Sequence, residues 1–171
     1  DLFGAIGALY AMMGLWGVPY LRDVHGLTRP EAASYMTLML LSFAVGALLF
    51  GWFSDKIGRR KPVLIAGMLL HACAWFLLVF TDWTAGFQGK ALFAMLGFGG
   101  SSFVITFAAA KEAINPSLSG MAVSVVNTGC FAGTALVQPL FGWIADKTWD
   151  GKVVEGIRIY GAADYHNGFL L

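Results

Sequence analysis

Residues 51–61 read Gly-Trp-Phe-Ser-Asp-Lys-Ile-Gly-Arg-Arg-Lys, a polar segment that joins two long apolar stretches. Around its charged part, residues 36–53 and 63–81 contain no Asp, Glu, Lys or Arg. A helix needs about 20 mostly apolar residues to cross a bilayer. The segment is therefore predicted to be a short loop between two membrane-spanning helices.

Five apolar stretches are long enough to span a bilayer, and they fill most of the 171-residue chain. The chain is 58% hydrophobic and 12% charged, whereas a soluble domain has about 25% charged residues. These stretches lack the polar face of a soluble helix, so the sequence predicts an all-α membrane protein. The net charge of +1 gives no reason to expect a nucleic-acid partner. The predicted spans are Leu2–Leu21, Ala32–Ser54, Pro62–Thr81, Ala91–Ala110 and Ser119–Ile144.

The ends of the chain suggest a piece of a larger bundle, and its capping and Pro residues indicate where the helices start. Residues 165–171 are interpreted as the start of a sixth span, so residues 1–171 form one six-helix unit with a truncated last helix, cut at both ends from a longer protein. Thr28 and Glu31 have the spacing of a capping box and should start the second helix. Pro62 should start the third helix, and a short hairpin is expected within residues 153–159.

An eight-residue segment occurs twice in the chain. Residues 49–56 and 140–147 share the pattern Leu-Phe-Gly-Trp-x-x-Asp-Lys. Three spans separate the two copies, which places them on opposite faces of the membrane. This spacing favours two inverted three-helix repeats, an arrangement common in transporters. Chance similarity between two helix ends is the alternative.

Asp55 is predicted to lie at the C-terminal end of a helix, where the helix dipole disfavours a negative charge. Arg59, or the N-terminus of a neighbouring helix, could offset that charge. The loop is therefore interpreted as a gating latch between helix ends, although an anchor without a gating role explains it equally well. Its basic residues favour the cytoplasmic side. The predicted gating set is Gly51, Asp55, Lys56, Gly58, Arg59 and Arg60.

Neutral polar and aromatic residues recur at helical spacing within three of the spans. An amide in hydrocarbon is costly unless it is paired or meets water. These side chains therefore either line a solute cavity or hold the helices together through hydrogen bonds. His71, on the third span, is predicted to be structural. The candidate solute-binding set is Tyr10, Trp16, Tyr20, Ser102, Thr106, Asn127 and Gln138.

The pattern Gly51-x-x-x-Asp55-Lys56-x-Gly58-Arg59-Arg60-Lys61 resembles the loop signature of the major facilitator superfamily. Residues 14–23 and 133–142 are similar to helices seven and eleven of bacterial members. The resemblance implies half of a twelve-helix bundle, namely helices seven to eleven and the start of twelve. If the chain is the N-terminal half instead, the helix numbers drop by six.

The same resemblance implies a secondary active transporter or facilitator of a small organic solute, which works by alternating access. Its implied location is the cell (inner or plasma) membrane, with the missing N-terminal half and the lipid bilayer as partners. The sequence has no Ser/His, carboxylate-pair or His/Cys constellation that favours a membrane-embedded enzyme, so no catalytic residue, metal or cofactor is expected. A non-transporting membrane scaffold remains an alternative.

Overall fold

The computed structural model describes residues 2–154 and 156–170, and five helical segments in it are long and apolar enough to cross a membrane. The first segment changes its helical type twice. Helix α1 (Leu2–Ala11) passes into a π-helical turn (Met12–Trp16), which passes into α2 (Gly17–Asp23). A π-helical turn contains an extra residue, so it rotates the side chains that follow it.

The second span, α3 (Arg29–Ile57), starts at the predicted capping box. The Glu31 carboxylate accepts a hydrogen bond from the Thr28 backbone N–H at 2.9 Å, and the Thr28 hydroxyl accepts one from the Glu31 N–H. The helix ends at Gly58, whose φ of +68° suits glycine. The third span, α4 (Arg60–Phe80), begins two residues before the predicted Pro62.

The fourth span is also irregular. Helix α5 (Phe87–Gly100) continues through a 3₁₀ turn (Ser101–Val104) into α6 (Ile105–Glu112). After a second 3₁₀ turn (Pro116–Leu118), the fifth span, α7 (Ser119–Thr148), extends through Pro139 without interruption.

The segment after α7 forms the predicted hairpin and a short helix. Strands β1 (Val153–Val154) and β2 (Ile157–Arg158) pair in antiparallel fashion. Helix α8 (Ala162–Phe169) follows, in the region where a sixth span was predicted to start. The prediction of an all-α membrane protein is confirmed, with this hairpin as the sheet found in the described residues.

Two helix pairs pack in the same way. Helix α7 lies on α1 where Gly7 meets the Gly133 backbone, and α3 lies on α5 where Gly46 meets the Phe98 carbonyl. Small residues at such points let helix backbones approach closely. Each repeat therefore contributes one long helix that packs against the first helix of the other repeat.

The two ends of the bundle carry the two copies of the repeated segment. Asp55 lies at the end that also holds Glu112, and we name this end the Asp55 face. Asp146 lies at the end where the Tyr165 hydroxyl donates to Asp23, and we name it the Asp146 face. The repeated segments thus end on opposite faces, as inverted repeats require.

Candidate functional site

The loop after α3 is organised around Arg60, the first residue of α4. The Arg60 guanidinium forms an ion pair with Asp55 at the end of α3 and another with Glu112 at the end of α6, with Nη2 2.6 Å from Glu112 Oε1. Its Nη1 also donates to the buried Ser54 hydroxyl at 3.0 Å. The Arg60 side chain therefore joins three helix ends. We call Asp55, Arg60 and Glu112 the Asp55 cluster.

In the structure the Asp55 carboxylate pairs with Arg60 and not with Arg59, so its partner lies at the N-terminus of a neighbouring helix, α4. Arg59 precedes α4 in an extended conformation, with φ −135° and ψ 114°, and its side chain is exposed. Arg60 is inside the helix and therefore lies over the end of α3. No spacing rule pointed to Glu112, which lies 52 positions from Arg60.

Two other members of the gating set have local roles. The Lys56 ammonium lies 4.8 Å from the centre of the Trp52 ring, in a cation–π contact. Within the described chain, no atom of another helix lies within 4 Å of where a Cβ on Gly51 would stand. Gly51 is therefore free to accept a close neighbour from outside this bundle.

Tyr10 and Gln138 lie on a surface between α1 and α7. The Tyr10 ring stacks on Phe131 and meets Phe103 edge-on, with centroid distances of 6.4 Å in both cases. The Gln138 amide nitrogen lies 3.7 Å from where a Cβ on Gly14 would stand. Asn127 is exposed and shares the Phe131 stripe of α7 at helical spacing. We call Tyr10, Asn127, Phe131 and Gln138 the open face.

Trp16 and Thr106 line a different space. They border an apolar groove of about 960 Å³ between α1, α4 and α7. The Trp16 indole N–H donates to the Gln138 backbone carbonyl at 3.3 Å, and its ring lies 4.7 Å from that of Phe141. Trp16 therefore lies in different surroundings from Tyr10, and the π-helical turn Met12–Trp16 separates the two residues along the span.

Ser102 and Tyr20 are buried within the bundle. Ser102 is fully buried and packs against Gly67 of α4, where a larger residue would collide with it. Tyr20 is 7% exposed and packs among aromatic rings that include Trp83 and Tyr165. The nearby His25 ring lies 3.3 Å from the Tyr20 hydroxyl, and burial lowers the pKa of His25. The structure thus distributes the seven candidates over three environments.

His71 is held on both sides of its ring, in agreement with a structural role. The Trp75 indole N–H donates to His71 Nε2 at 3.0 Å. His71 Nδ1 must then carry the proton, and it donates to the Leu96 carbonyl at 3.0 Å. This arrangement fixes the tautomer and ties α4 to α5. In the described part of the chain, no three His, Cys, Asp or Glu residues lie together as a metal site would require.

The chain matches known proteins over most of its length. The family model of the Major Facilitator Superfamily matches residues 2–155. The methyl viologen resistance protein SmvA of Salmonella typhimurium is 27% identical over 159 residues, which are 89% of this chain and 32% of that protein. The chloramphenicol resistance protein of Pseudomonas aeruginosa is 31% identical over 149 residues, 87% of this chain and 35% of that protein.

A third relative is named as a membrane sensor and not as a resistance protein. The membrane sensor protein UhpC of Escherichia coli is 28% identical over 140 residues, 79% of this chain and 30% of that protein. The chain spans about a third of the length of these curated relatives. No solved structure gives a significant match.

Proposed function

The chain belongs to the Major Facilitator Superfamily, and we propose on that basis that it forms half of a transporter or facilitator that moves a small organic solute across the cell membrane by alternating access. The proposal places residues 51–61 at the cytoplasmic side and assigns the chain to the C-terminal half. In this mechanism two half-bundles rock around a central site, and no covalent chemistry is required of either half.

The open face is the observation on which the solute site rests. It combines two stacked rings, Tyr10 and Phe131, with the amides of Asn127 and Gln138. Contact of those amides with lipid would be costly, so a surface of this kind suits a second half-bundle and an aqueous cavity. Aromatic rings and neutral hydrogen-bonding groups suit an organic solute with an aromatic or apolar body.

The remaining candidates have supporting roles in this proposal. Trp16 fixes the backbone of α7 beside Gln138 through its indole N–H. Tyr20 and Ser102 hold the packing, whereas Thr106 lies on the groove side. The Asp55 cluster acts as the gate, because its charges join three helix ends that must separate when that face opens.

A transport assay tests the proposal directly. The full-length protein in proteoliposomes is offered methyl viologen and chloramphenicol, the compounds in the names of two relatives. Tyr10→Ala and Gln138→Leu should each lower uptake about tenfold, a typical effect of losing a buried binding contact. Leu136→Ala, an exposed α7 residue away from the open face, is the matched control. Equal losses in all three variants would contradict the assigned site.

A sensor that does not transport is the second candidate, favoured by the similarity to UhpC. A sensor binds a solute in the same kind of cavity without releasing it on the other side. Saturable solute binding to the purified full-length protein, without accumulation in vesicles, would support it over the transporter.

We also propose that the apolar groove receives a helix that continues from α8. Helix α4 covers α5, and in the other repeat the corresponding surface of α1 forms the wall of the groove. Phe169 and Leu170, at the end of the described chain, already border the groove. A sixth helix in this position would complete the inverted repeat.

A further inference from the structure

Asp146 belongs to neither the open face nor the Asp55 cluster, yet its side chain is firmly held. Asp146 Oδ1 accepts a hydrogen bond from Arg158 Nη1 at 2.9 Å and another from the Tyr160 hydroxyl at 2.7 Å. Asp146 lies in the last turn of α7, where the helix dipole disfavours a carboxylate. Two donors from the following loop offset this unfavourable position.

The surroundings of Asp146 match those of Asp55. In each copy of the repeated segment, a Trp lies three residues before the Asp and a Lys directly follows the Asp. The Lys ammonium lies over the Trp ring. The Lys147 ammonium is 3.5 Å from the Trp143 ring centre, and the corresponding Lys56–Trp52 distance is 4.8 Å. In each copy an Arg from the next segment of the chain forms an ion pair with the Asp. The repeat therefore extends from sequence to side-chain interactions.

The loop that supplies the donors is itself ordered by its own contacts. The Arg158 guanidinium lies over the Trp149 ring at 4.7 Å, and the Trp149 indole N–H donates to the Ile159 carbonyl at 3.1 Å. Burial, followed by the hydrogen bond to Asp146, raises the pKa of Tyr160. Its phenol thus stays protonated and remains a donor to the carboxylate.

Tyr160 connects this loop to the core of the bundle. Its ring meets that of Trp16 edge-on at 6.2 Å. Trp16 is the last residue of the π-helical turn, and its indole N–H donates to the Gln138 carbonyl. A chain of direct contacts therefore leads from Asp146 to the irregular turn of the first span and to the open face.

We propose that Asp146, Arg158 and Tyr160 form a second latch, which holds the loop after α7 against α1 and keeps the Asp146 face closed in one conformation of the transport cycle. It is the counterpart, on the opposite face, of the Asp55 cluster. This inference rests on the proposed function, because a latch of this kind has a role only in a protein that alternates between two conformations.

Cysteine labelling of the full-length protein tests the second latch. A reporter is introduced as Thr134→Cys, one turn before Gln138 on the same stripe of α7, after Cys73→Ser and Cys130→Ala remove the native thiols. A membrane-impermeant maleimide is then added from the Asp146 face. Asp146→Asn and Tyr160→Phe should each raise the labelling rate about two- to fivefold, since exposed ion pairs rarely shift an equilibrium by more than about tenfold.

Asp150→Asn is the matched control, because Asp150 lies in the same loop and its carboxylate accepts from its own neighbour, the Lys152 N–H, at 3.0 Å. It should leave the labelling rate unchanged. An unchanged rate in both test variants, or an equal rise in the Asp150 control, would overturn the proposal. Tyr160→Phe removes a single hydroxyl and so retains the fold if Asp146→Asn does not.

The labelling experiment requires no solute, so its outcome is separate from that of the proposed function. If the wild-type protein transports the tested solutes and both test variants label like Asp150→Asn, the second latch is wrong and the transporter stands. If Asp146→Asn labels faster and no solute is moved, the two conformations exist and the transporter proposal is the one contradicted.

Discussion

At the scale of single residues, Arg60 determines the arrangement of the Asp55 face. Its guanidinium contacts Asp55, Ser54 and Glu112 together. An ion pair that is exposed to water contributes little to stability. The importance of Arg60 therefore lies in the helix ends that it joins. A substitution of Arg60 should affect conformational exchange more than folding.

We expect Arg60→Gln and Asp55→Asn to lower the transport rate of the full-length protein about tenfold, within the range of typical coupling between conformations. Folded abundance should fall much less, because Arg60 and Asp55 lie at the surface of the bundle. The measurement is the initial uptake rate normalised to the monodisperse protein on size-exclusion chromatography.

Arg59→Gln serves as the control for that experiment. It removes the same charge one position earlier, from an extended residue outside the ion pairs of the Asp55 cluster. Its transport rate should stay near the wild-type value. Loss of transport in Arg59→Gln to the same degree would indicate a general need for positive charge, as in a membrane anchor, and would contradict the gating role.

The difference between Arg59 and Arg60 illustrates a limit of sequence reasoning. The sequence offered Arg59 or the N-terminus of a neighbouring helix to offset Asp55, and the outcome depends on where α4 begins. The sequence pointed to Pro62 as the start, whereas the helix begins at Arg60. A shift of two residues changes the direction of an arginine side chain by about 200° around the helix axis.

At the scale of helices, length and apolar character were sufficient to locate the spans. The capping box at Thr28 also located the start of α3 from the sequence alone, whereas the helix ends at Ile57, three residues after the predicted Ser54. The irregular turns Met12–Trp16 and Ser101–Val104 were not predicted from the sequence. The candidate residues of these two spans lie in different surroundings, since Tyr10 stacks on Phe131, Trp16 borders the groove and Ser102 is buried.

The α1–α7 contact provides a prediction at this scale. A Cβ on Gly7 would lie 2.8 Å from the carbonyl carbon of Gly133, and neither backbone can move aside without separating the helices. Gly7→Ala should therefore destabilise the protein by about 1–3 kcal/mol, the usual cost of overpacking. The measurement is the thermal unfolding midpoint of the full-length protein in detergent.

Gly129→Ala is the comparison for Gly7→Ala. Gly129 lies in α7, one turn before Gly133, and among the described residues no atom outside its own helix backbone lies within 4 Å of where its Cβ would stand. Both substitutions favour the helical conformation to the same extent. Equal unfolding midpoints for the two variants would show that the close helix contact does not contribute to stability.

At the scale of the whole molecule, the repeat organises the fold and both latches. The shared segment predicted that two Asp residues lie on opposite faces, and the structure places them there. The sequence did not predict the partners, because Glu112 and Tyr160 lie outside the repeated segment. By the same symmetry, the helix that corresponds to α4 in the second repeat would fill the apolar groove.

The groove gives the last prediction. Ala72 of α4 borders the groove and is exposed, whereas Ala66 is exposed outside the groove lining, about 120° around the same helix. If a helix continuing from α8 occupies the groove, Ala72→Trp must displace it, and overpacking of about 1–3 kcal/mol should lower the folded yield of the full-length protein. Ala66→Trp should be tolerated, because lipid can accommodate a larger side chain. If lipid fills the groove instead, the two tryptophans meet the same environment, and the two yields on size-exclusion chromatography would be equal.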